Sequence, residues 1–213
     1  EAASLWNVAI AEGSVTPMTY YYLGWCLVQG KLSGAEQAFA DAADACPDYC
    51  FPNRLEAILA LQCAMEQNPN DAKAPYYLGN LYYDKRQYDL ALEAWETSAG
   101  LDDKFPTIWR NLALANFNKK DEEATAIEYM ERAFQLDTTD ARVLMELDQL
   151  YKRVRRPHSE RLAFLQQYPE LIAQRDDLVL EEITLLNQTG DYEKAKTLLD
   201  AHIFHPWEGG EGK

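Results

Sequence analysis

The string that closes the chain, FHPWEGGEGK, sets His205, Trp207, Glu208 and Glu211 side by side. A tryptophan ring flanked by carboxylates is one way to build a sugar site. The ring is a platform, and the acids accept hydrogen bonds or work as an acid/base pair. The plainer reading is a non-helical linker that docks back on a neighbouring domain. A second group is cationic: Lys152-Arg153-Val154-Arg155-Arg156, with Arg142 and Arg161 close by in sequence. Such a cluster could hold a phosphate or an acidic segment. It would equally neutralise surrounding carboxylates or close a helix C-terminus against its dipole.

Other reactive residues are scattered. Cys26, Cys46, Cys50 and Cys63 are the four cysteines. In helical patterns a free cysteine acts as a small apolar residue. Cys46 and Cys50 bracket a loop with Pro47, where a bridge is conceivable; reduced thiols in a cytoplasmic protein are the simpler expectation. Zinc would need a second pair and a histidine at the right spacing, and neither is present. His158 and His202 stand alone, as helix-surface or core residues. The sequence has no phosphate-cradling glycine loop, no nucleophile elbow and no HExxH. No catalytic residue, metal ligand or cofactor is assigned.

Charge narrows the partners. The 213 residues carry 20 Lys plus Arg against 35 Asp plus Glu, a net charge of −15. That argues against nucleic acid and anionic membrane surfaces and favours a basic or neutral partner. No apolar run reaches the roughly 18–20 residues of a membrane span, and no signal peptide is visible. The chain starts at Glu1 without Met, inside a helical pattern, and reads as a fragment of a larger protein. A cytoplasmic setting is favoured but not fixed.

The elements behind these residues follow a period. Leu78 and Gly79 recur as Leu112 and Ala113, 34 residues on. Each unit reads as two amphipathic helices around a tight turn. Leu78 and Tyr82 share one face of the first helix; Ala91, Trp95 and Ser98 share one face of the second. Gly79 lets the second helix come close, with Ala91 expected as the small residue meeting it and Trp95 as the large filler. Leu112, Ala113, Ala126, Met130 and Ala133 repeat the scheme. A helix pair of this size cannot bury its apolar face alone, so such units stack.

These residues resemble the tetratricopeptide repeat family: Leu78, Gly79 and Tyr82, then Ala91 with an aromatic four later. The resemblance implies an all-α solenoid of antiparallel helix pairs in a right-handed superhelix. The expected helical-repeat domain spans 1–203, with units at about 17–50, 72–105, 106–140, 141–175 and 176–203. Residues 51–71 are irregular, and 204–213 form a non-helical tail. Ala2, Trp6 and Ala9 have the spacing of a second helix. Leu23 and Gly24 take the roles of Leu78 and Gly79, with Ala35, Phe39 and Ala42 opposite. Asn53 to Gln67 reads as one long helix with no first helix before it. It is either an added helix or a repeat that has lost half of itself. Asp140 should cap the helix carrying Leu147 and Tyr151. The next helix is degenerate because Glu160 stands where a small residue belongs. The last unit enters its second helix through Gly190 and Asp191, with Leu199 as filler.

The family also implies a concave groove lined by first-helix residues. Here these are Tyr21, Trp25, Tyr76, Asn80, Tyr83, Arg110, Leu114, Phe117, Met145, Gln149 and Lys152. Exposed aromatics and amides in a groove suit an extended peptide or another domain. The mode that grips a terminal carboxylate is not expected, because Tyr76 occupies a key lysine site and Asn80 and Asn111 match only partly.

A further resemblance, carried by APYYLGNLYYDKRQY, RNLALANFNK, ELDQLYKR, AQRDDL and HPWEGGEGK, is to the helical C-terminal part of large bacterial proteins. Those proteins join such helices to an upstream β-rich, mutarotase-like domain. Two functions stay open: a non-catalytic scaffold for protein or interdomain contacts, or the accessory part of a larger carbohydrate-active enzyme that lends its tail to that site.

Overall fold

The structure, a computed structural model, describes residues 1–13 and 15–205. Among them the chain forms thirteen α-helices, one π-helical turn and no strand, so the protein is all-α. It divides into two compact units, Glu1–Ala115 and Asn116–Lys213.

The first unit contains α1 (Ala2–Ala11), α2 (Pro17–Gln29), α3 (Ala35–Asp44), α4 (Glu56–Gln67), α5 (Lys73–Asp84), α6 (Tyr88–Leu101) and α7 (Pro106–Ala115). Pro17 occupies the first turn of α2, where its missing N–H costs nothing. The Thr16 backbone N–H donates to Thr19 Oγ1 at 3.1 Å, closing that end. Between α2 and α3 the chain turns through Gly34 at φ +98°, a conformation that disfavours any side chain.

The pairs α2–α3 and α5–α6 close on the same device. A Cβ on Gly24 would lie 2.5 Å from the Phe39 ring; one on Gly79 would lie 2.5 Å from Trp95 Cδ1 and Nε1. The side chain nearest Gly79 is therefore the large Trp95 rather than the small Ala91 expected there. With hydrogen in place of a side chain, the flat ring lies directly on the opposing backbone. The Trp95 indole N–H then reaches Tyr76 O at 3.2 Å and Asn80 Oδ1 at 3.1 Å. Ser98 Oγ donates to Ala72 O, tying α6 to the start of α5.

Helix α4 starts at Glu56, three residues later than the sequence pattern suggests, because 53–55 still belong to the turn after Pro52. Its stripe of Ala57, Ala60, Leu61 and Ala64 is wholly buried. The stripe packs on both α2 and α5. In α1 the buried small residue is Ala3 rather than Ala2, and the Trp6 ring stacks on Tyr22 at 5.2 Å.

The second unit contains the π-helical turn (Asn116–Lys120), α8 (Glu123–Leu136), α9 (Ala141–Arg153), α10 (His158–Leu165), α11 (Pro169–Ile172), α12 (Asp176–Thr189) and α13 (Tyr192–Ala201). Ala126, Met130 and Ala133 form the buried stripe of α8. Asp140 caps α9 by accepting from Arg142 N at 2.8 Å and Val143 N at 3.1 Å. In α10 the inward positions are Arg161 and Leu165, so the helix is turned one residue from the register that placed Glu160 inside. The short α11 buries Leu171 and Ile172 in a stretch with no expected helix. Gly190, at φ +90°, ends α12, and Ala195 is buried beyond it. Leu199, the expected filler, is half exposed instead, because α13 turns that face to solvent.

Candidate partner-binding site

In the first unit the groove residues separate by depth. Trp25 on α2, Tyr83 on α5, and Arg110 and Leu114 on α7 are half-buried. Tyr21 and Tyr76 are buried and do not line a surface, which corrects the groove assignment for both. The Tyr76 ring packs against Tyr77 and, at 4.9 Å between centroids, against Phe105. Burial pushes its hydroxyl up, and a hydrogen bond from Asn80 and the charge of Arg110 act the other way.

Asn80 is an internal link. Its Oδ1 accepts from the Trp95 indole and from Asn111 Nδ2, both at 3.1 Å, and it also bonds the Tyr76 hydroxyl. It fixes α5 to α6 and α7, which leaves little of its amide for a ligand. The Tyr83 ring sits on Trp95 at 5.5 Å and meets Tyr88 edge-on at 5.2 Å. Tyr88, the first residue of α6, thus packs its ring onto α5.

Tyr21 belongs to a polar cluster in the core that sequence reasoning missed. Its hydroxyl donates to Asp71 Oδ2 at 2.7 Å. Asp71 Oδ1 accepts the backbone N–H groups of Lys73 and Ala74 and so caps α5. Burial lifts the Asp71 carboxyl above the usual range against these lowering bonds. Burial first, then Asp71, pushes Tyr21 far up. Next to it the Tyr77 hydroxyl is buried without a hydrogen-bond partner among the described residues, with the Cys50 thiol as polar neighbour. Burial raises the Cys50 thiol as well. All four cysteines are free.

In the second unit Phe117, Met145 and Gln149 are half-buried and Lys152 is exposed. Lys152 Nζ donates to both oxygens of Glu181 at 3.0 and 2.9 Å. Arg161 lies almost wholly buried rather than on the surface. Its Nε and Nη2 grip the Asp148 carboxylate at 3.0 and 2.6 Å, and Nη2 also meets Glu181 Oε1 at 2.7 Å. Burial acts to raise Glu181, but Lys152 and Arg161 outweigh it and hold the carboxyl below its ordinary value. At Asp148 burial wins over the Arg161 bonds, and the direction is up. Two cations and two carboxylates thus tie α9, α10 and α12 together.

Of the four arginines of the expected anion patch, two have acidic or aromatic neighbours of their own. Arg142 Nε bonds Glu146 at 3.1 Å. Arg156 lies 3.6 Å over the Tyr151 ring and within 3.9 Å of Glu131. Arg153 and Arg155 point to solvent. The signal available in the sequence was Asp148, a carboxylate on the apolar stripe of Leu144, Leu147 and Tyr151, which demands a buried cation.

His202, read as solitary, is paired: its Nε2 donates to Asp176 Oδ1 at 2.7 Å. His205 bonds the other oxygen through its backbone N–H at 2.6 Å and Nδ1 at 3.2 Å. These bonds, the His205 N–H foremost, hold the half-buried Asp176 carboxyl at about 2. Trp207, Glu208 and Glu211 lie outside the described residues. No group of three or more His, Cys, Asp or Glu among the described residues is placed to hold a metal ion. No described helix is long and apolar enough to cross a membrane.

Helix pairs closed by a glycine under an aromatic ring define an α-solenoid of tetratricopeptide type. Residues 53–102 and 76–141 match the tetratricopeptide repeat family, the first stretch taking in α4. Among solved structures, a MamA protein is 18% identical over 89% of this chain and 98% of its own, with a TM-score of 0.57. YrrB, described as a TPR protein with an unusual peptide-binding site, is 18% identical over 93% of this chain and 91% of its own, with a TM-score of 0.56. A pilF protein of Pseudomonas aeruginosa is 18% identical over 85% and 88%, with a TM-score of 0.51. At these identities the likeness establishes the fold. Together with the family match it supports the tetratricopeptide repeat family for this chain.

Proposed function

We propose that this chain is a non-catalytic scaffold that binds a protein or peptide, with Trp25, Tyr83 and Arg110 as the contact residues of its first unit. The observation that carries the reading is that the Trp25 and Tyr83 rings on α2 and α5 are only half-buried. Such rings concentrate binding energy because they bring large area and few rotatable bonds. Phe117 and Gln149 are the corresponding candidates of the second unit. The repeat family supports the reading, and YrrB gives a peptide-binding precedent on the same fold. The charge of −15 favours a basic or neutral partner.

The test is selection from a displayed random-peptide library, followed by calorimetry on wild type, Trp25→Ala and Tyr83→Ala. An enriched peptide whose affinity falls about tenfold or more in either variant, as for an interface anchor, is the expected result. Enrichment no better than on an unrelated acidic helical protein, or binding indifferent to both substitutions, would refute the assignment.

A further inference from the structure

Residues 45–55, between α3 and α4, are irregular and show an alternation in burial. Cys50 and Pro52 point inward, while Tyr49 and Phe51 are 94% and 74% exposed. The anchoring is specific. The Cys50 N–H donates to Pro47 O at 3.4 Å, and its thiol is engaged by the Met18 backbone and neighbours Tyr77. Tyr49 adopts φ +57°, a left-handed conformation that a residue with a bulky side chain rarely takes. The loop is thus pinned at its centre, and the pinning turns two aromatic rings outward against both the hydrophobic effect and local backbone preference. The apolar display continues across the start of the next helix, where Leu55 at the N-cap of α4 and Leu59 four residues on are 62% and 53% exposed. Asp44, Asp48 and Glu56 are exposed around this display, three carboxylates against two cations, Arg54 and the Lys73 ammonium that donates to Ala45 O at 2.8 Å.

We propose that Tyr49, Phe51, Leu55 and Leu59 form a second docking surface, apart from the Trp25 and Tyr83 rings, that takes a basic amphipathic segment of a partner protein. Charge complementarity selects this occupant. Apolar side chains of the partner would cover the two rings and two leucines, and its lysines or arginines would face the three carboxylates. A second copy of the chain is disfavoured as occupant, because two bodies each carrying −15 repel. Leu55 and Leu59 at a spacing of four suit the i, i+4 anchors of a helical partner.

The probe is a synthetic amphipathic helix of leucine and lysine, with a leucine–glutamate helix and an all-lysine peptide as controls. Binding is measured on the full chain and on Tyr49→Ser/Phe51→Ser, which changes no formal charge and removes no buried group. The leucine–lysine helix should bind, lose about tenfold or more in affinity in the double variant, and keep its affinity in Tyr83→Ala. It should also slow maleimide labelling of the exposed Cys46, near the start of the loop. Equal affinity for the double variant, or equal binding of the all-lysine peptide, would mean charge attraction alone and overturn the proposal. So would a concentration-dependent dimer in light scattering that the double variant abolishes, since the surface would then belong to a second copy.

Discussion

The Tyr21 hydroxyl reaches across fifty residues of chain to donate to Asp71, with both groups buried. Tyr77, whose ring meets Tyr21 edge-on at 5.9 Å, has a buried hydroxyl with no such acceptor among the described residues. Two tyrosines in contact therefore predict opposite mutational signs. Tyr21→Phe strips a buried carboxylate of a donor and should destabilise by about 1–3 kcal/mol; Tyr77→Phe removes an unsatisfied hydroxyl and should be neutral or stabilising by about 1 kcal/mol. Urea unfolding of the two variants checks both, and equal losses would contradict the assignment.

The same pair predicts a pH dependence. Asp71 has a folded-state pKa above its ordinary value, so the folded protein binds the extra proton in that window. Its contribution to stability is therefore larger at the acid end of the window and declines as pH rises through the raised pKa. Tyr21→Phe lifts the Asp71 pKa further, since the lost bond favoured the ionised form. The penalty of the variant should be greatest at neutral pH and shrink on acidification, read as denaturant midpoints across pH.

Three glycines separate close approach from mere helix occupancy. Gly24→Ala and Gly79→Ala each push a methyl into a ring and should cost about 1–3 kcal/mol by overpacking, and Gly79→Leu more. Gly100, in α6, has nothing within 4 Å of a built Cβ, so Gly100→Ala should stabilise by about 0.5–1 kcal/mol. Thermal melts of the three alanine variants test the contrast.

Removing Arg161 leaves Asp148 buried without its partner and deprives Glu181 of one of two. Arg161→Met should cost about 3–5 kcal/mol, whereas replacing Asp148, Arg161 and Glu181 together by apolar residues should recover most of it. Glu181 is held below its ordinary pKa, so its stabilisation is present above that value and lost as pH falls through the lowered one. Lys152→Met removes a lowering bond and should move this acid loss to higher pH.

Asp176 should remain ionised in carboxyl NMR titrations down to about 2. Its contribution is present above the usual carboxyl value and is lost as pH falls from there through the lowered value of about 2. Asp176→Asn weakens the bonds from His202 and His205, and the His205 amide should then exchange with solvent faster. An unchanged exchange rate would remove the clasp.

The repeat was legible because its signals are local. Leu78, Gly79 and Tyr82 set the face of one helix, and Asp140 and Pro17 mark helix starts through backbone chemistry that any context preserves. Depth was not legible. Helical spacing places Tyr21, Trp25 and Tyr76 on stripes but does not say that α4 packs on α2 and α5, the helices that carry them. The register of α10 was ambiguous for a similar reason: Leu162, Phe164 and Leu165 accommodate either Glu160 or Arg161 inside, and only the carboxylates of α9 and α12 decide. Within the arginine cluster, only Arg156 and Arg161 turn to partners far off in sequence, Glu131 for the one and Asp148 and Glu181 for the other, which helical spacing does not reveal.

The Tyr21–Asp71 bond also bears on the order in which the first unit comes together. In most helix-repeat arrays each pair needs only its immediate neighbours, so folding spreads from any starting point. Here α2 and α3 leave the ribosome well before Asp71 does, and until α5 docks, the Tyr21 hydroxyl has no acceptor inside the core it helps to form. Closing so long a loop is slow compared with pairing adjacent helices. The earliest-made pair of the unit is therefore expected to be among the last to lock, open to proteases and chaperones on the nascent chain while α5 and α6 are already able to close on Gly79.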